Sequence, residues 1–262
     1  MKKRKVNKIA SVFTAFFLAF TFLSRVEAAE SEKSLQDQTE EQTQKITHMV
    51  AIDPGHQGPG QDMSGMEPNA PGSDVMKARI VAGTQGSTTG LAESELNLSV
   101  ALKLRDELEE RGYQVIMTRT EQDVDLSNID RASIATEQGA EITVRIHANG
   151  SEDASVSGAL TMIPSSANPY VGELYEDCYS LGAAVLESYC QATGLENNGV
   201  VETDTMTGLN WSTMPVTIIE MGFMTNPSDD LYMADENHQE IMAKGIADGI
   251  DTYFSQKGST IE

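Results

Sequence analysis

VAIDPGHQG, residues 50–58, joins a short apolar strand to a Pro-Gly turn and leaves His56 just past that turn. EITVRIHAN (141–149) and VTIIEMGF (216–223) share the pattern: one apolar run carries His147 near its end, the other carries Glu220 inside it. Helical spacing fills the intervals. In 93–112, Leu96, Val100, Leu104 and Leu108 recur every fourth residue and Gly112 terminates the run. Stretches 127–139, 171–194 and 238–254 read as further helices, the last with Ile241, Ile246, Ile250 and Phe254 on its inner side. YQVIMTR (113–119) and SGALTMIP (157–164) read as strands. Strands alternating with helices predict the α/β class: a single layered domain with a mixed, mostly parallel sheet flanked by helices.

Upstream of this domain the composition changes. Lys2, Lys3, Arg4, Lys5 and Lys8 precede an apolar run from 9 to 23, followed by the small-x-small pattern Val26-Glu27-Ala28. That three-part layout predicts a secretory signal peptide over 1–28. The run is shorter than the roughly 20 residues of a spanning helix; an uncleaved anchor is the alternative, and no later segment is apolar enough to cross a bilayer. Residues 29–47, rich in Glu, Gln, Ser and Thr, read as a solvated acidic linker. The folded domain is expected over 48–256, with a tail at 257–262.

The chain has 262 residues and a formal charge of −22. Loss of 1–28 removes six basic residues and one acidic residue, leaving −27. Such a polyanion excludes nucleic acid as a partner and disfavours anionic membranes, and no stable membrane insertion is expected once the signal is cleaved. A hydrophobic fraction of 39% excludes wholesale disorder. Cys178 and Cys190 fall twelve residues apart on one expected helix, about 18 Å at 1.5 Å per residue, too far for a disulfide.

With four His in the chain, any metal site must draw on a short list. His56 and His147 both fall at the carboxyl ends of expected strands, where α/β sheets bind ligands. Alternation sets Thr143, Arg145 and His147 on one face of their strand. Glu220 among Ile218, Ile219 and Met221 needs an arginine, a proton or a cation, because an unpaired buried carboxylate costs several kcal/mol; Arg145 and Arg131 are the candidate partners. A catalytic zinc takes three protein ligands and leaves one position open. Glu93 and Glu95 are both available as the third, though acidic residues also favour helix N-termini for their dipole alone. The stretch 57–90, rich in Gly, Pro, Ser and Met, is too long for an ordinary connection and reads as an active-site loop. His48 and His238 are expected to be solvated.

IDPGHQG, the GLAESELNL helix start, VRIHANGS and TIIEMGFMTNP occur in that order. Together they resemble the zinc-dependent N-acetylmuramoyl-L-alanine amidases of bacterial cell-wall turnover, across residues 50–254. The resemblance implies one zinc per chain bound by His56, Glu93 and His147, with Glu220 as the catalytic residue. It also implies peptidoglycan as the partner, a secreted or cell-wall-associated location, and cleavage of the amide between N-acetylmuramic acid and L-alanine. Arg145, where the family often has a small residue, and Asn149 are candidate substrate contacts. A zinc peptidase or deacetylase acting elsewhere on the polymer, or a non-catalytic wall-binding regulator, are the rival expectations.

Overall fold

The computed structural model describes residues 48–258; the expected signal peptide and linker lie outside them. In chain order the elements are β1 (Met49–Pro54), β2 (Met66–Pro68), β3 (Met76–Ala78), α1 (Glu93–Glu110), β4 (Gln114–Met117), α2 (Asn128–Glu137), β5 (Ile142–Asn149) and β6 (Ala159–Ile163). A single 3-10 turn (Gly172–Leu174) leads into α3 (Tyr175–Thr193), followed by β7 (Asn197–Glu202), α4 (Thr207–Asn210), β8 (Val216–Phe223), α5 (Pro227–Ala234) and α6 (Glu236–Gly258).

Six strands form one sheet in the order β4-β1-β5-β8-β6-β7, and β2 and β3 form a separate antiparallel pair. Every pairing in the large sheet is parallel except β6 with β8. The mixed, mostly parallel α/β layering is therefore as the alternating sequence implied. Val144, Ile146 and Ala148 of β5 join the main core with Leu96 and Leu104 of α1, Val185 and Tyr189 of α3 and Ile246 and Ile250 of α6. On the opposite face Ala51 and Ile116 pack with Ala135 of α2. Parallel β1, β5 and β8 end at the same edge of the sheet, and that edge carries the site.

Several elements depart from the sequence reading. A short helix not foreseen, α5, precedes the expected C-terminal helix: Asn226 caps it, Pro227 opens it and the extended Asp235 (ψ 125°) ends it. The C-terminal helix continues to Gly258, into the expected tail. Ile241 is 40% exposed; Met242, Ile246, Ile250 and Tyr253 form the inner face instead. β7 was not foreseen, since NNGVVE offers an edge strand with little to bury. His48 stacks on Phe254 at 3.8 Å and meets Glu141 at 2.9 Å, while His238 stacks on Tyr232 at 4.0 Å, so neither ring is simply solvated. Cys178 and Cys190 both lie on α3 as free thiols. Among the described residues no helix is long and apolar enough to cross a membrane.

Candidate active site

His56, Glu93 and His147 converge from three elements: the turn after β1, the first residue of α1, and the end of β5. One ligand atom from each lies within 4.8 Å of the others. Glu93 Oε1 is 3.0 Å from His56 Nε2 and 3.1 Å from His147 Nδ1. Glu95, the other carboxylate of that helical turn, is exposed. Two glycines make the convergence possible. A Cβ at Gly55 would overlap the His147 ring, and one at Gly83 (φ 82°) would lie 2.7 Å from Glu93 Oε2.

The hydrogen-bond roles decide what these atoms can hold. His56 Nδ1 lies 2.8 Å from the Val81 carbonyl oxygen. A carbonyl only accepts, so Nδ1 carries the hydrogen and Nε2, the ring's remaining lone-pair position, faces Glu93. Two acceptors 3.0 Å apart repel unless a proton or a cation lies between them. Burial pushes His147 down to about 4 against the pull of Glu93, so this ring is neutral at pH 7, the state a metal ligand needs. Burial opposes ionisation of Glu93, but contacts with His147 and His56 outweigh it and hold the carboxyl well below the usual range. The backbone N–H of Thr84 donates to Glu93 Oε2, and the Asn97 amide and Ala148 N–H donate to Oε1. Two imidazoles and a fixed carboxylate, at this spacing, match a cation with bonds of about 2.0–2.2 Å.

Glu220 lies beside His147 in the β5–β8 register and opens onto the same cleft. Its Oε2 is buried with no hydrogen-bond partner. Burial, with repulsion from Glu93 added, pushes its carboxyl up to about 8. Neither candidate arginine reaches it. Arg131 and Arg145 both bind Asp53 instead, at 2.7 Å each. Burial would raise Asp53, but Arg131, Arg145 and the Thr118 hydroxyl outweigh that and keep it ionised.

The model of the N-acetylmuramoyl-L-alanine amidase family matches residues 50–252. The chain belongs to this family. It is an N-acetylmuramoyl-L-alanine amidase. The Bacillus subtilis protein YqiI, itself uncharacterized, is 32% identical over 167 residues, covering 64% of this chain and 77% of YqiI. The probable cell wall amidase LytH of Staphylococcus aureus is 26% identical over 220 residues; the match covers 84% of this chain and 62% of LytH. A solved N-acetylmuramoyl-L-alanine amidase from Clostridium difficile 630 superposes with a TM-score of 0.66 at 28% identity, covering 80% of this chain and 98% of that one. The amidase Ami1 of Mycobacterium smegmatis shares the fold, with a TM-score of 0.72 at 22% identity, over 80% of this chain and 97% of Ami1.

Around its site the amidase builds a shell that the sequence reading missed. Arg131 donates to the Pro54 and His56 carbonyls, and Arg119 donates to those of Pro54, Gly55 and Ser94, so two buried guanidiniums fix the turn that presents His56. Asn97 spans from Glu93 to the Gly55 carbonyl; its position one helical turn after Glu93 was a readable signal. The 57–90 stretch forms part of the wall of a cleft of about 580 Å³ and contributes Lys77, Arg79, Val81, Gly83 and Thr84 to it. Arg145 and Asn149 also line this cleft.

Proposed function

We propose that the amidase works with one zinc ion held by His56, Glu93 and His147, and that Glu220 is its proton-transfer residue. The observation that carries the reading is the convergence of ligand atoms from His56, Glu93 and His147, with the unpartnered Glu220 Oε2 beside them. When bound, zinc supplies Lewis acidity, which can lower the pKa of water to about 7 and polarise an amide carbonyl. Glu220 needs no metal bond for its part. A carboxylate left without a partner beside the site can, once ionised, take a proton from the attacking water and return it to the departing alanine nitrogen. Glu93 keeps its charge, while the Val81 carbonyl holds the His56 ring in the ligating tautomer.

The substrate is peptidoglycan, cut between the lactyl group of N-acetylmuramic acid and L-alanine. Asn149 is the better placed of the two sequence candidates for touching it, since Arg145 has Nε on Asp53 and Nη2 on Asn128. The basic head and apolar run of 1–28, with the linker at 29–47, support export to the wall. Mass spectrometry of purified wall digested by the protein tests this reading. Released peptides beginning with alanine are expected, lost on chelation and restored by zinc; shortened peptides still attached to muramic acid would contradict it.

A further inference from the structure

Four cations line the catalytic cleft, and three already have a carboxylate partner. Arg131 and Arg145 share Asp53. Arg79 pairs with Asp125 at 2.8 Å and lies 3.8 Å from Asp130. Lys77 has no hydrogen bond or ion pair among the described residues. Its cross-strand partner in the β2–β3 register is Glu67, but that carboxylate is engaged elsewhere: its two oxygens accept from the Asn128 and Ile129 N–H groups and the Asn128 amide at the start of α2. Lys77 is therefore exposed, without an ion-pair partner among the described residues, and lines the same cleft as His56, His147 and Glu220.

The hairpin that carries Lys77 is pinned to the body. Besides Glu67, the Trp211 indole donates to the Pro68 carbonyl and the Asn210 amide to that of Asn69. A long flexible side chain thus springs from a fixed backbone. The surroundings make one positive charge matter, because the chain carries −22 overall and the cleft itself contains the ionised Glu93. An anionic substrate group entering this field is repelled unless a local cation receives it.

The chemistry of the substrate says which group that is. In an N-acetylmuramoyl-L-alanine linkage the lactyl carboxyl is the acyl half of the scissile amide and has no charge. The remaining carboxylates lie on the peptide beyond the alanine. Resting on the amidase reading of the cleft, we infer that Lys77 binds a carboxylate of the stem peptide, so that the inserted hairpin selects peptides by their charge. Lysine acts here as a point charge rather than a planar fork, which suits a carboxylate whose position varies with peptide length.

The test uses disaccharide peptides released from wall by a muramidase, either untouched or with their carboxylates converted to carboxamides. The unsubstituted enzyme is expected to show a lower KM for the acid form. Lys77→Gln raises that KM about tenfold, with kcat moving less than KM, and shrinks the preference between the two forms toward unity; Lys77→Arg retains the preference. Equal KM values for both forms with the unsubstituted enzyme, or the same loss on both forms with Lys77→Gln, would overturn the assignment. Failure of the unsubstituted enzyme to cut either form would overturn the amidase site, and the Lys77 assignment with it.

Discussion

Glu220 and Asp53 are two buried acids with opposite fates, and the difference is the company each keeps. Asp53 has two arginines and stays ionised; Glu220 has none and is pushed up to about 8. Because the folded pKa of Glu220 lies above its ordinary 4.5, the metal-free fold loses stability as pH rises from about 4.5 to 8. Glu220→Gln removes that penalty, worth up to about 5 kcal/mol above pH 8 at 1.36 kcal/mol per unit. The variant is expected to melt higher than wild type at pH 8 without metal, and to hydrolyse wall at least about a hundredfold more slowly; calorimetry and a turnover assay check the two effects. For Asp53 the sign reverses. Its stabilisation is present above its ordinary 3.8 and is lost as pH falls below that value. Asp53→Asn strands two buried guanidiniums and should cost about 3–5 kcal/mol, read from urea unfolding at pH 7. In the sequence, Glu220 was recognisable as a problem because a carboxylate interrupts an apolar strand. Its solution was not legible: Asp53 and Arg145 are neighbours only through the β1–β5 register, which no local pattern reveals.

Elements with strong periodicity or well-marked ends were readable before any coordinates. At the start of α2, Ser127 forms a full capping box with Asp130. Glu93 was drawn inward because it opens α1 on the buried side, while Glu95 two residues on faces solvent. What escaped were segments held by partners distant in sequence. The β2–β3 hairpin is three residues per strand, and Glu67, Trp211 and Asn210 fix it rather than any pattern of its own. The short helix α5 was missed because Asn226–Pro227 was not read as a helix start. Close packing between the turn after β1 and the end of β5 yields a prediction at this scale. Gly55→Ala forces the turn away from the His147 ring and should weaken metal binding at least about tenfold with a folded far-UV spectrum, measured by competition with a chromogenic chelator.

At the scale of the whole domain, three parallel strand ends and one helix start meet where the sheet can offer no hydrophobic closure, and the proposed cation would complete the structure there. Metal should therefore stabilise the fold as well as activate it. At a hundredfold excess over Kd the gain is about 2.7 kcal/mol, which for a domain of this size raises Tm by about 5–10 °C. His56→Ala should lose most of that rise in a thermal melt with and without zinc. The most direct measurement is zinc content per chain after dialysis, compared among wild type, Glu93→Ala and Glu220→Gln. The expected result is one zinc in wild type and in the inactive Glu220→Gln, and none in Glu93→Ala. Zinc retained by Glu93→Ala, or lost from Glu220→Gln, would contradict a centre made of two imidazoles and one carboxylate with a free acid beside it.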